Sequence, residues 1–141
     1  MSTIKQRKMA RELLMKTLYE WGVSDQVAAA MIAEVKSRYS EETYDLDYFV
    51  DGMEYISEHV EELDQLYVPH SHGQDENGLT PIEQAILRLA CYELKARIDI
   101  PPKVIINEAV ELAKRYGAQD GYKFVNGVVE SVAKSLGKSL S

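Results

Sequence analysis

One cysteine, Cys91, stands in 141 residues. An internal disulfide framework is impossible, and a reducing compartment is the natural setting. No stretch approaches the ~18 consecutive apolar residues of a membrane-spanning helix. The N-terminal run MSTIKQRKMARELL interrupts its apolar residues with charges, so it lacks the core of a secretory signal. A nucleophile elbow, a glycine-rich phosphate loop and an HExxH pattern are also missing, which removes the motifs that most often mark a stand-alone enzyme. These absences predict a soluble, cytoplasmic chain without catalytic residues, cofactor or metal. One further absence is local: from Glu41 to Glu76 there is no lysine or arginine among twelve acids.

The rest of the composition is that of an ordinary globular domain. Hydrophobic residues make up 45% and charged residues 28%, and one domain over residues 1–141 is long enough to bury its own core. The net charge of −7 argues against nucleic acid at first sight. Yet Met1 to Lys16 carries five bases (Lys5, Arg7, Lys8, Arg11, Lys16) and one acid, Glu12. Screening limits charge effects to roughly 8 Å, so this local excess outweighs the total. A solvated helix face remains the alternative.

Helical periodicity runs through the chain. Ala10, Leu13, Leu14, Thr17, Leu18 and Trp21 form one stripe, closed by Gly22. Ser24 is placed to cap a second helix carrying Met31, Ile32 and Val35. A third is expected from about Asp47 to Tyr67, with Phe49, Met53, Ile56, Val60 and Leu63 at spacings of three and four. The turn formers of PHSHGQDENG predict an exposed loop over about 68–79. Thr80-Pro81-Ile82-Glu83 is a strong helix start, and IEQAILRLACYEL after it is apolar on more than one side, as a buried central helix would be. Pro101-Pro102 stops that helix. A fifth follows to Gly117, and a sixth starts near Asp120. The expected class is all-α, with about six or seven helices.

Two clusters combine cations with aromatic rings, the pairing that single-stranded nucleic acid uses for phosphates and bases. In the first helix, Tyr19 falls on the side of Lys5, Lys8 and Lys16, with Arg7 and Arg11 along the edge of the apolar stripe. Near Asp120, a helix start offers free N–H groups, Lys123 adds charge, Tyr122 and Phe124 add rings, and Asn126 follows. The alternative places Tyr19 and Phe124 in packing. Asp120 is expected to cap its helix or to accept from a base edge, since a carboxylate repels phosphate. Cys91 reads as a core residue, and His70-x-His72 as a polar loop without zinc-site spacing.

AREL…TLYEW, IEQAILRLACYEL and PPKVIINEAVELAKRYG with KFVNGVVE closely resemble the bacterial NusB family over essentially the whole chain, weakest from Val27 to about Glu62 and in the 68–79 loop. The resemblance implies two small helical bundles. It implies binding of boxA-type RNA together with NusE, a small-subunit ribosomal protein, in a complex with RNA polymerase and other Nus factors that suppresses termination of ribosomal RNA transcription. It assigns RNA contacts to Arg7, Lys8, Arg11 and Tyr19, and to Asp120, Lys123, Phe124 and Asn126, with NusE near Glu83 and the acidic third helix beside it. Met9 stands where the family often has another arginine, which implies fewer phosphate contacts and more reliance on the partner. Two alternatives stay open. One is the RNA-binding module of a ribosomal RNA methyltransferase, whose catalytic domain these residues do not contain; the other is a protein-only interaction domain.

Overall fold

Thr3 opens the first helix with a reciprocal cap. Its hydroxyl accepts from the Gln6 N–H at 3.0 Å, and the Gln6 side chain accepts from the Thr3 N–H at 2.8 Å. From there α1 (Ile4–Val23) runs twenty residues, one beyond Gly22. The computed structural model describes residues 2–71 and 79–140. Among them are seven α-helices, one 3₁₀ turn and no strand. No helix among the described residues is long and apolar enough to cross a membrane. The chain divides into two compact units, Met1–Glu58 and His59–Ser141.

In the first unit α1 packs against α2 (Ala28–Arg38) and α3 (Leu46–Glu58). The expected stripe is buried at Ala10, Leu13, Leu14, Thr17 and Leu18, so the periodicity located the inward face. Ser24 does not cap α2. It ends α1, and Val27 takes the N-cap position with no side-chain hydrogen bond. The connection into α3 is aromatic: Tyr44 meets Phe49 edge-on at 6.2 Å and Tyr39 at 6.4 Å.

Asp45 caps α3, with Oδ1 accepting from the Tyr48 N–H at 3.0 Å. Its Oδ2 accepts from the Ser2 hydroxyl at 2.7 Å and from Arg7 Nε at 3.0 Å. Burial pushes the Asp45 carboxyl up, but these three donors and the charge of Arg7 pull it down further, to below its ordinary value. A depressed folded-state pKa gives stability that is present above the unfolded value and lost as pH falls through the folded one. Asp45→Asn should therefore unfold more easily than the parent near neutrality. The gap should close below about pH 4 as the parent's own carboxyl protonates. Urea titrations at several pH values check this, and a gap that stays constant down to acid would contradict it.

The second unit begins at a break inside the predicted third helix. His59, at φ −122° and ψ 24°, leaves helical geometry and starts α4 (Val60–Tyr67). The apolar stripe had suggested one continuous helix because spacings of three and four persist across a one-residue interruption. A 3₁₀ turn (Val68–His70) follows, and residues 72–78 of the expected loop, with His72, lie outside the described residues. The central helix is α5 (Pro81–Ala96), packed against α4, α6 (Pro102–Tyr116) and α7 (Gly121–Ser135). It buries Ala85, Ile86, Leu87, Leu89, Ala90, Cys91, Tyr92 and Leu94, matching its many-sided apolar pattern. α6 contributes Ile105, Ala109 and Leu112, and α7 contributes Val125, Val128, Val129 and Val132. α6 closes at Gly117, where a Cβ would lie 2.7 Å from the Ala113 carbonyl oxygen, a contact that only glycine avoids.

A polar network joins α4 to α5. Arg88 donates Nε and one terminal nitrogen to the two Asp64 oxygens at 2.9 and 3.0 Å. The Tyr67 hydroxyl donates to Asp64 Oδ1 at 2.8 Å and accepts from Gln84 Nε2 at 3.2 Å. Burial is the main force holding the Tyr67 phenol well above its ordinary pKa, so it stays a donor.

Candidate functional site

In the first unit the basic cluster separates by depth. Lys5 and Lys8 are exposed, Arg7 is half-buried and Arg11 is buried at 3% exposure. Both guanidiniums face the buried Tyr48 ring, with carbons 4.8 Å (Arg7) and 5.5 Å (Arg11) from its centre. Arg7 is also paired with Asp45 at 3.0 Å. Arg11 thus belongs to the packing of α1 on α3, and Lys5 and Lys8 are the outward charges. Lys16 is exposed and pairs with Glu12 at 3.6 Å. Tyr19 is half-buried, intermediate between the two readings the sequence left open.

In the second unit, α7 carries the other cluster. The Tyr122 ring has Lys114 Nζ 5.0 Å and Lys123 Nζ 6.0 Å from its centre. Arg115 lies 5.4 Å from the centre of Tyr116. Phe124 is half-buried, next to the buried Val125, while Lys123 and Asn126 are exposed. The sequence reasoning missed Lys114, Arg115 and Tyr116, because basic residues in a last helical turn are explained well enough by the helix dipole. The usable signal was proximity: α6 and α7 are joined by a short turn, so the end of one lies beside the start of the other.

Asp120 differs from expectation. It precedes α7 in the left-handed region, at φ 63°, and its side chain makes no capping hydrogen bond. The left-handed backbone turns the carboxylate off the helix axis, and Oδ1 sits 3.8 Å from Lys123 Nζ instead. Glu83 is also placed unlike a surface contact. It is 5% exposed, and its Oε1 accepts the Thr80 hydroxyl at 3.0 Å while its own N–H donates to that hydroxyl oxygen at 3.1 Å.

The remaining reactive groups are quiet. Cys91 is buried, and burial, helped by the charge of Asp64, pushes its thiol up to about 12. His70 is half-buried in the 3₁₀ turn, and among the described residues no three His, Cys, Asp or Glu side chains gather as metal ligands would. What the arrangement offers is a set of rings bordered by cations on α6 and α7, and outward lysines on α1. Such surfaces serve stacking and phosphate neutralisation.

Comparison with known proteins gives a consistent picture. The family model described as the NusB family matches residues 8–134. The transcription antitermination protein NusB of Pectobacterium carotovorum is 42% identical over 132 residues, spanning 94% of each chain. That of Pseudoalteromonas atlantica is 40% identical over 132 residues, again 94% of each. Among solved structures, NusB from T. maritima superposes with a TM-score of 0.79 at 29% identity, covering 95% of this chain and 93% of that one. The solution structure of NusB from Aquifex aeolicus gives 0.77 at 26% identity, covering 98% and 96%.

Proposed function

The chain belongs to the NusB family, and from that premise we propose that it is a cytoplasmic transcription antitermination factor. In this reading it binds boxA-type single-stranded RNA beside NusE, in a complex with RNA polymerase and other Nus factors, and supports ribosomal RNA transcription. The observation that carries the RNA half is the cluster at the start of α7, where the ammonium groups of Lys114 and Lys123 lie 5.0 and 6.0 Å from the centre of the Tyr122 ring. A base stacks on such a ring while its phosphate meets the neighbouring cation. Phe124 and Asn126 extend this surface, and Lys5, Lys8, Arg7 and Tyr19 supply a second one on α1. The partner half is supported by exposed acids: Asp47, Asp51, Glu54 and Glu58 on α3, and Glu61 and Glu62 on α4. A basic ribosomal protein suits each of these surfaces taken by itself, and the residues at the start of α5 around the buried Glu83 are proposed as a further contact.

The test is fluorescence anisotropy with boxA-type and scrambled RNA, with and without NusE. Tighter binding of the boxA-type RNA, strengthened by NusE, is the expected result. Equal binding of both RNAs with NusE present would reject the proposal. The same assay separates the roles of single residues. Lys8→Ala should weaken both RNAs alike and reduce the slope of log K against log salt by about 0.7. Phe124→Leu and Tyr122→Leu should each cost about 1–2 kcal/mol with the slope unchanged, because a ring carries no charge to exchange for counterions. A slope change in the ring variants, or none in Lys8→Ala, would reverse the assignment.

A further inference from the structure

Within the first unit, Asp45 holds Arg7 by one edge of its guanidinium. Arg7 Nε donates to Asp45 Oδ2 at 3.0 Å, and its central carbon lies 4.8 Å from the centre of the Tyr48 ring. The carboxylate is itself fixed. Oδ1 caps α3 through the Tyr48 N–H at 3.0 Å, and Oδ2 also accepts from the Ser2 hydroxyl at 2.7 Å. These contacts engage Nε and one face of the guanidinium. Among the described residues, the two terminal nitrogens of Arg7 make no hydrogen bond or ion pair. The Arg7 side chain is 26% exposed, against 12% for Asp45. Arginine carries its N–H groups in a rigid planar fork, so fixing the Nε edge also fixes the direction of the other edge. Arg11, against the same ring, is buried at 3% exposure and lies too deep to present such an edge.

We propose that Asp45 is a positioning residue for RNA binding: it aims the outer edge of Arg7 at a phosphate of the RNA strand and does not itself touch the RNA. This rests on the RNA-binding reading above and deepens it at the α1 surface. Geometry and charge make opposite demands here. By charge alone a carboxylate repels phosphate, so neutralising Asp45 would tighten RNA binding. If Asp45 aims Arg7, neutralising it weakens binding instead.

Asp45→Asn is the first test. The amide oxygen can keep the cap on α3, which turns the N–H₂ group toward Arg7 Nε, donor against donor. Binding is measured with the full chain, boxA-type RNA and NusE, at a temperature where the variant's circular dichroism matches the parent's. D45N should weaken RNA binding about fivefold. It should also lower the slope of log K against log salt by about 0.7, the value of one phosphate contact. Arg7→Ala should do the same. D45N added to Arg7→Ala should change affinity by less than about twofold, because the two act through one contact. A purely structural Asp45 would weaken binding equally in both backgrounds and leave the slope unchanged, and either result overturns the proposal. So does D45N binding as tightly as the parent, or more tightly. Where D45N does not fold, Arg7→Lys keeps the charge and leaves Asp45 on its cap, but a single ammonium cannot serve carboxylate and phosphate from two fixed edges. R7K should then bind about fivefold more weakly, and full affinity in R7K would overturn the proposal. A parent chain that ignores boxA-type RNA even with NusE would remove the functional reading, and this inference with it.

Discussion

Replacing Arg11 with alanine is expected to lower the unfolding free energy by about 2–3 kcal/mol and to leave the salt dependence of RNA binding unchanged. The side chain is buried at 3% exposure and its guanidinium sits 5.5 Å from the centre of the Tyr48 ring. Truncation removes the apolar stem from a packed interface and the cation from the ring face, and leaves a cavity. A phosphate cannot approach a group at that depth without the helix moving. Two measurements decide the matter: urea denaturation of the variant, and its RNA affinity at several salt concentrations. A stable variant with a shallower salt slope would mean that Arg11 reaches phosphate after all.

Asp64→Ala should have an effect of the same size, about 2–3 kcal/mol, for an electrostatic reason. It removes the bidentate carboxylate from Arg88, whose side chain is 12% exposed, and takes the acceptor from the Tyr67 hydroxyl. Breaking one side of a buried pair costs more than the pair contributes, because the remaining charge is left in a poorly solvated place. A double variant, Asp64→Leu with Arg88→Met, should therefore recover a good part of the loss. Thermal melts of the two single variants and the double one form the cycle. A double variant no better than the sum of the singles would show that the uncompensated charge is not the cause.

The helices were legible because their signals are local. α5 announced itself through Thr80, Pro81 and Glu83, and its apolar residues on several sides correctly marked it as central. The break at His59 was invisible because Phe49, Met53, Ile56, Val60 and Leu63 keep helical spacing on both sides of it. The cap at Thr3 is legible in the capping-box spacing of Thr3 and Gln6, but both lie ahead of Ala10, where the apolar stripe begins. The depth of Arg11 was not legible. It depends on Tyr48, which lies thirty-seven positions further along the chain and arrives there only when α3 packs on α1. The α7 cluster was half legible: Lys123, Phe124 and Asn126 are contiguous, whereas Lys114 and Arg115 join through the turn between α6 and α7.

The left-handed backbone at Asp120 limits what mutation can do at that position. At φ 63° a Cβ-bearing residue is strained unless its side chain is short and polar, and a β-branched or bulky one is strongly disfavoured. Glycine, asparagine and aspartate are the residues that this turn tolerates. Drift among natural relatives should thus be confined to those three, whether or not RNA is ever near. An unchanged aspartate across many species would then be weak grounds for inferring an RNA contact, because the backbone alone enforces most of the restriction. The telling comparison is aspartate against asparagine, which the turn accepts equally and which differ only in the charge beside Lys123.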